Sequence, residues 1–107
     1  MNYRIVFTDT AREDLRALAF QLAELTKDRE TAKRFAAGVR EIVKQLERFP
    51  FSGALPRDRV LKSAGYRYLA YQEYLIFYQT DEKNAVVNIL AVFHAKRDYL
   101  RVMRRFL

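Results

Sequence analysis

The chain has 107 residues, with 20 lysines and arginines against 13 aspartates and glutamates, for a formal net charge of +7. Half of the residues are hydrophobic and 31% are charged, a composition typical of a globular domain and not of a disordered, fibrous or membrane chain. We therefore expect one domain over residues 1–107. Cysteine is absent, which excludes disulfide scaffolds and thiol chemistry.

The apolar stretches of the chain are short. The longest, residues 74–77 and 89–93, fall far short of the roughly 20 residues that cross a bilayer. The first residues alternate in polarity and lack the apolar run of a signal peptide. We therefore expect a protein without a membrane partner, located in the cytoplasm.

The N-terminal quarter predicts a strand followed by an amphipathic helix. Tyr3, Ile5 and Phe7 alternate with Arg4 and Val6, the period of a half-buried strand. Thr8 or Asp9 then caps a helix by accepting backbone N–H bonds. The apolar stripe of this helix has spacings of three and four and consists of Ala11, Leu15, Leu18, Leu22 and Leu25.

A second helix is predicted after a cap at Asp28, ending near Arg48. Its connection to the first helix is short, so the two form an antiparallel helical hairpin. Gly38 lies inside this helix, where glycine costs about 1 kcal/mol relative to alanine, and we expect close packing against the first helix there. The main apolar stripe consists of Phe35, Val39, Ile42, Leu46 and Phe49.

The second half of the chain predicts three strands. Residues 49–56 form a loop, and strand-like runs follow at 60–71, 74–80 and 85–94. Their tight connections predict an antiparallel meander. Strict alternation in the last run puts Val87, Ile89, Ala91 and Phe93 on one face and Val86, Asn88, Leu90, Val92 and His94 on the other, as in a central strand covered on both sides.

Residues 95–107 predict a short basic helix or tail. The predicted fold class is therefore α+β in the order β-α-α-β-β-β, with an antiparallel sheet packed against the two-helix hairpin and the basic segment at the end. Residues 94–107 carry five basic groups and one acidic group. Such a segment suits a polyanion or an acidic protein, and a solvated basic helix is the equally compatible alternative.

The residue types exclude several kinds of active site. One histidine and no cysteine cannot build the usual zinc or iron sites, and the chain has neither a glycine-rich phosphate loop nor a nucleophile elbow. We expect no metal and no cofactor. What remains is a set of basic and aromatic side chains in the second half of the chain.

Two of these side chains have both a chemical and a structural interpretation. His94 could act as a general acid or base beside Lys96 and Arg97, or it could simply hydrogen-bond a backbone group at the strand end. Arg67 could hold a phosphate or stack on a base, or it could lie over the neighbouring tyrosine rings as a cation–π contact.

Three pieces of the sequence resemble a known family. They are Gly65-Tyr66-Arg67-Tyr68-Leu69, Tyr74-Leu75-Ile76-Phe77-Tyr78 and Val92-Phe93-His94-Ala95-Lys96-Arg97-Asp98. Together with the two-helix start, they resemble the RelE/ParE toxins of type II toxin–antitoxin systems over nearly the whole chain. The resemblance implies a toxin neutralised by a cognate antitoxin that wraps around it. RelE-like members of the superfamily cut mRNA on the ribosome, whereas ParE-like members poison DNA gyrase and are not nucleases.

Leu75 favours the ParE-like branch. In the ribosome-dependent nucleases, a Tyr-Arg or His-Arg pair usually begins this strand, and its arginine serves the scissile phosphate; here the pair is Tyr74-Leu75. The ending His94 to Asp98 is similar to a His-Gly-Ala-Arg-Asp stretch of ParE-like chains, which implies that Arg97 and Asp98 form a structural pair. Our first hypothesis is therefore a toxin that binds and poisons DNA gyrase.

The alternative is a RelE-like mRNA endonuclease whose partners are the ribosome and mRNA. In it, Arg67, Lys96 and Arg97 bind phosphate, His94 is the acid or base and Tyr99 positions the substrate. A non-toxic nucleic-acid-binding module is a third possibility. For binding of target or antitoxin we single out Arg57, Arg59, Lys62, Arg101, Arg104 and Arg105. We also expect that deleting residues 101–107 weakens binding without unfolding the core.

Overall fold

The computed structural model describes residues 2–107, and Met1 lies outside the described residues. Within this range the predicted α+β class and element order are confirmed, with one additional short α-helix at Arg59–Ser63. Single 3-10 turns follow the second and last α-helices, at Lys44–Glu47 and Arg104–Phe106. The elements are β1 (Arg4–Phe7), α1 (Asp9–Thr26), α2 (Arg29–Val43), α3 (Arg59–Ser63), β2 (Tyr66–Tyr71), β3 (Tyr74–Asp81), β4 (Val86–His94) and α4 (Tyr99–Met103).

The four described strands form one sheet in the order β1-β4-β3-β2. β2, β3 and β4 make the predicted antiparallel meander. β1 joins β4 in parallel, from Arg4 opposite Val86 to Phe7 opposite Ile89. The sheet is therefore mixed, which the residue pattern of β1 does not reveal, because alternation reports burial and not strand direction.

The helical hairpin begins with the two predicted caps. Thr8 Oγ1 accepts a hydrogen bond from the Ala11 backbone N–H at 3.2 Å, and Asp28 Oδ1 accepts one from Glu30 at 3.0 Å. The last residue of each predicted apolar stripe is exposed, however, so the prediction is wrong at both of these positions. Leu25 is 82% exposed in the last turn of α1, and Phe49 is 61% exposed. The 3-10 turn after Val43 has three residues per turn, so the helical spacing no longer aims Phe49 at the core.

Gly38 does allow close packing, but against a different element than we expected. A side chain at position 38 would overlap the hydroxyl end of Tyr71 on β2. The glycine therefore brings α2 close to the sheet and not to α1.

The predicted strand at residues 60–71 is wrong in its first part. Residues 59–63 form α3 because Asp58 caps them, its Oδ1 accepting a hydrogen bond from the Leu61 N–H at 3.0 Å. Leu61 is buried against the sheet. The strand begins only at Tyr66.

An irregularity in β4 overturns the strict alternation that we expected. Phe77 of β3 pairs with Ala91, while the next residue, Tyr78, pairs with Ile89, so Leu90 has no partner on β3. Such a bulge shifts the faces of all residues beyond it. The face toward α1 and α2, here called the hairpin face, contains Val87, Ile89 and Val92, whereas the opposite outer face contains Leu90, Ala91 and Phe93. Both faces are apolar and covered, as predicted for a central strand.

The basic C-terminal residues form α4 and the 3-10 turn after it, and α4 packs onto the outer face. Val102 and Met103 are buried there together with Leu61 and Phe93. The expectation that residues 101–107 are dispensable for folding therefore conflicts with this packing, because their removal would uncover part of the core. No helix within residues 2–107 has the length and apolarity that crossing a membrane requires.

Candidate functional site

A cleft on the outer face is the first candidate site. It has a volume of about 260 Å³ and is lined by Pro56, Arg57, Tyr68, Leu75, Phe77 and Tyr99. The Phe77 ring forms its centre, stacked on Tyr99 at 5.9 Å and on Phe93 at 5.5 Å between centroids, with Tyr68 tilted against it at 5.2 Å. Aromatic rings and Leu75 supply apolar surface, and Arg57 adds a cation to the lining.

Arg67 lies on the hairpin face and away from this cleft. Its Nη1 donates a hydrogen bond to the Gly53 carbonyl at 3.0 Å, and its guanidinium lies 5.6 Å from the centre of the Phe51 ring. The cation–π interpretation is therefore correct in kind, with phenylalanine in place of the tyrosines that we expected. The contact ties the 49–56 loop to β2 and supports the Ala54–Tyr68 bridge on that edge.

His94 has partners for both ring nitrogens. Nδ1 accepts a hydrogen bond from the Lys96 backbone N–H at 3.1 Å, so the ring proton is assigned to Nε2, which faces Glu73 Oε2 at 3.4 Å. The ring also makes an edge contact with Tyr74 at 5.4 Å. These contacts match the structural interpretation of His94, as a residue that holds the turn after β4.

The predicted nuclease residues do not converge. Arg67 pairs with Tyr78, and His94 pairs with Tyr74, four residues along β3. At about 3.3 Å per residue, this separates them by roughly 13 Å along the strand alone. Tyr99 lies on the outer face, across the sheet from Arg67.

Lys96 and Arg97 lie in the exposed turn between β4 and α4. Asp98 caps α4, its Oδ1 accepting hydrogen bonds from the N–H groups of Leu100 and Arg101 at 3.2 and 3.4 Å. Among the described residues, the ion pairs within 4.0 Å do not include one between Arg97 and Asp98. The pair that we expected is therefore replaced by a helix cap, and a shallow depression between Arg97 and Arg101 opens beside it.

The cations predicted to bind a partner lie around the outer face. Arg59 and Lys62 are exposed on α3, and Arg101 and Arg104 are exposed in the C-terminal segment. Leu61 of α3 and Val102 and Met103 of α4 pack on this face, so these cations lie on elements of the same face as the cleft that Arg57 lines. Arg105 differs from the others, since its Nη2 donates to Asp14 Oδ2 on α1 at 3.2 Å.

A second candidate surface lies at β1, where the sequence predicted no site. A groove of about 620 Å³ runs along β1 and the helical hairpin. β1 is the open edge of the sheet, since a bridge of loop residue Ala54 covers part of the β2 edge. Arg12 and Arg16, one helical turn apart on α1, were a signal for this surface. The groove is lined by Arg4, Arg12, Arg16 and Arg40 together with Ile5, Val6, Phe7, Leu15, Ala19 and Ala36.

Comparisons with known proteins identify relatives of this chain. A sequence profile described as the ParE toxin of type II toxin–antitoxin system, parDE, matches residues 5–99. No curated protein matches the chain significantly.

Several solved structures are similar to this one. The toxin–antitoxin complex RelBE2 from Mycobacterium tuberculosis is 29% identical with a TM-score of 0.64, covering 88% of this chain and 99% of that chain. The chromosomal ParDE system from P. aeruginosa is 21% identical with a TM-score of 0.72, covering 88% and 97%. A mutant of the E. coli toxin RelE in the free state is 18% identical with a TM-score of 0.58, and the match covers 100% of both chains. The last two comparisons show a shared fold.

Proposed function

Because this chain belongs to the ParE toxin family of type II toxin–antitoxin systems, we propose that it arrests growth by binding and poisoning DNA gyrase. A cognate antitoxin neutralises it. The chain is a type II toxin of the RelE/ParE superfamily, and the proposal concerns which of the two targets of that superfamily it attacks.

Leu75 is the observation that carries the choice of target. It lines the outer-face cleft at the position where the resembling nucleases have an arginine for the scissile phosphate. Leucine can neither donate a hydrogen bond nor carry charge, and loss of one such donor typically lowers a rate by about 10² to 10³. Among the residues that line the cleft, Arg57 carries a positive charge, but the position of Leu75 itself supplies none.

The positions of the other nuclease candidates also favour gyrase. Arg67 holds the Gly53 carbonyl on the hairpin face, and the ring nitrogens of His94 already have Lys96 and Glu73 as partners. A general acid and a phosphate-binding cation must lie within hydrogen-bond reach of one substrate. Two side chains on separate parts of the sheet do not satisfy that requirement.

The outer face is the proposed target-binding surface. Arg57 lines the cleft, and exposed cations lie on the elements that pack on the same face, namely Arg59, Lys62, Arg101 and Arg104. Cations beside aromatic surface suit a protein partner with an acidic rim.

The arginine-lined groove at β1 is the proposed docking surface for the antitoxin. The M. tuberculosis relative was solved as a toxin–antitoxin complex. In the present chain, an open strand edge lies beside four exposed arginines and an apolar floor. An extended acidic segment would meet backbone hydrogen-bonding groups, opposite charge and apolar contacts at the same place.

Assays of mRNA cleavage and of gyrase inhibition distinguish the two candidate targets. The chain is expressed in a short pulse in a bacterium without the antitoxin, mRNA 5′ ends are mapped, and the purified protein is added to a gyrase supercoiling assay. We expect growth arrest with intact messages and inhibited supercoiling. Cuts phased with codons within minutes would instead establish the nuclease alternative, and harmless expression would favour the non-toxic module.

Variants of the nuclease candidates provide an independent test. Arg67→Ala and His94→Ala should each retain growth arrest, provided that circular dichroism shows a folded protein. Loss of arrest in both folded variants would contradict the gyrase proposal.

The antitoxin surface is tested by charge reversal. Arg12→Glu combined with Arg16→Glu should weaken co-purification with the candidate antitoxin encoded beside the toxin gene. Arg48→Glu, an exposed arginine outside the groove, is the matched control. Equal co-purification of both variants would exclude this surface.

A further inference from the structure

Asp14 on α1 completes the hydrogen bonding of β4. Its Oδ2 accepts a hydrogen bond from the Val92 backbone N–H at 3.0 Å. β1 ends at Phe7, which pairs with Ile89, so no β1 residue lies opposite Val92. The carboxylate therefore takes the place that a longer β1 would fill.

The same oxygen binds the C-terminal segment, defined here as residues 98–107. Arg105 Nη2 donates to Asp14 Oδ2 at 3.2 Å, across 91 residues of sequence. The Asp14 side chain is 22% exposed and that of Arg105 is 46% exposed, so this ion pair is shielded more than a surface pair. Burial raises the pKa of Asp14 above its usual value, against the opposing effects of the Val92 N–H, Arg105 and Arg97.

Other contacts of the segment lie on the far side of the sheet. Val102 and Met103 are buried on the outer face, and the Tyr66 hydroxyl donates to the Phe106 carbonyl at 3.1 Å. The segment is thus held at the outer face by apolar packing and at α1 by one ion pair. Arg101 lies just before the buried Val102, and Arg104 lies between Met103 and Arg105; both are exposed.

We propose that Asp14 is a positioning residue that clasps the C-terminal segment through Arg105 and so keeps the cations of that segment in a defined arrangement. One oxygen links α1, β4 and the segment. A shielded carboxylate is unfavourable unless it is paired, and here its cationic partner is supplied by the segment. Arg105 therefore serves the clasp, while Arg101 and Arg104 are left available to a partner.

Hydrogen exchange of the segment tests the clasp directly. Asp14→Asn keeps an oxygen for the Val92 N–H but removes the charge, and Arg105→Gln removes the cation. Each should lower protection of the Val102 and Leu107 amides by about fivefold, the size expected when one partly shielded ion pair is lost. Glu13→Gln and Arg104→Gln, which change exposed neighbours of the same types, are the matched controls.

The double variant and a pH profile distinguish a clasp from general loosening. Asp14→Asn with Arg105→Gln should lower protection no further than either change alone, because both remove the same contact. Release of the segment breaks the pairing of Asp14 with Arg105, whereas global unfolding also returns the carboxylate to water, so the two equilibria depend on pH in opposite directions. Protection of the wild-type segment should therefore fall as the pH drops through the pKa of Asp14, and in Asp14→Asn this step should be absent. Arg105 and Arg97 face Asp14 and stay charged throughout. Protection within twofold of wild type in both single variants would overturn the proposal, and if Asp14→Asn fails to fold, Arg105→Gln alone decides it.

The consequence for target recognition rests on the proposed function. Growth arrest and gyrase inhibition should weaken in Arg105→Gln and not in Arg48→Gln, which removes one exposed positive charge outside the segment, if order in the segment matters more than the net charge of the protein. A loosened segment with wild-type gyrase inhibition would overturn the positioning role. If the wild-type protein leaves gyrase active, the proposed function fails, and the exchange measurements still decide whether Asp14 clasps the segment.

Discussion

The hydroxyl end of Tyr71 lies where a side chain at Gly38 would have to go. The contact joins α2 to β2 and sets how closely the helical hairpin approaches the sheet. Glycine at this position is thus required by the tyrosine ring, even though it weakens the helix.

Gly38→Ala should destabilise the protein by about 1 to 3 kcal/mol in the free energy of unfolding, because the new methyl group displaces the Tyr71 ring. In a Tyr71→Ala background the same change should stabilise it by up to about 1 kcal/mol, through helix propensity alone. Urea unfolding of the four proteins measures both effects. A stabilising effect of Gly38→Ala with Tyr71 present would contradict the steric explanation.

Tyr78→Phe should cost about 1 to 3 kcal/mol of stability. The buried Tyr78 hydroxyl accepts a hydrogen bond from the Gly53 N–H at 2.9 Å, and burial raises the pKa of this tyrosine. Phenylalanine leaves that N–H without its partner inside the protein. Tyr99→Phe, in the outer-face cleft, is the control for removing a hydroxyl, and equal unfolding midpoints for the two variants would show that the Gly53 contact is unimportant.

Asp14 should make stability depend on pH in a specific direction. Because burial raises its pKa in the folded state above the unfolded value near 3.8, the folded protein binds this proton more tightly than the unfolded chain does. The contribution of Asp14 to stability is therefore fully present below the unfolded pKa and is lost as pH rises through the folded pKa. The difference in unfolding free energy between wild type and Asp14→Asn, measured by denaturant titration from pH 4 to 7, should fall with rising pH; a flat difference would show that the pKa is not raised.

Removal of residues 101–107 should unfold or strongly destabilise the protein. Truncation before Arg101 deletes Met103, which is completely buried, and loss of a buried methionine typically costs about 2 to 5 kcal/mol. Replacing Arg101 and Arg104 with glutamine should instead lower the thermal midpoint by no more than a few degrees, since both side chains are exposed. If the truncated chain melts with the midpoint of the full chain, α4 is not part of the core.

Local features of the chain were predictable because neighbouring residues determine them. Thr8 and Asp28 cap helices through contacts with residues two or three positions later, so the sequence alone predicts both starts. The error at α3 has a local cause as well: the Asp58 cap outweighs the strand-like composition of the residues that follow it. The last predicted strand was correct in extent and in its central position.

The arrangement of the candidate site depended on tertiary structure. Leu90 in β4 has no partner on β3, and this bulge determines which face each later side chain of the strand occupies, because a one-residue shift in a strand reverses the faces. The parallel pairing of β1 creates the arginine-lined groove, which requires side chains from β1, α1 and α2 to meet. By itself, the sequence determined most of the helices and strands, the basic charge and the presence of leucine at position 75, because these depend on residue type and local spacing. Only the tertiary structure decided that Arg67, His94 and Tyr99 lie apart and that Asp14 meets Arg105, because strand register and long-range packing bring distant residues together.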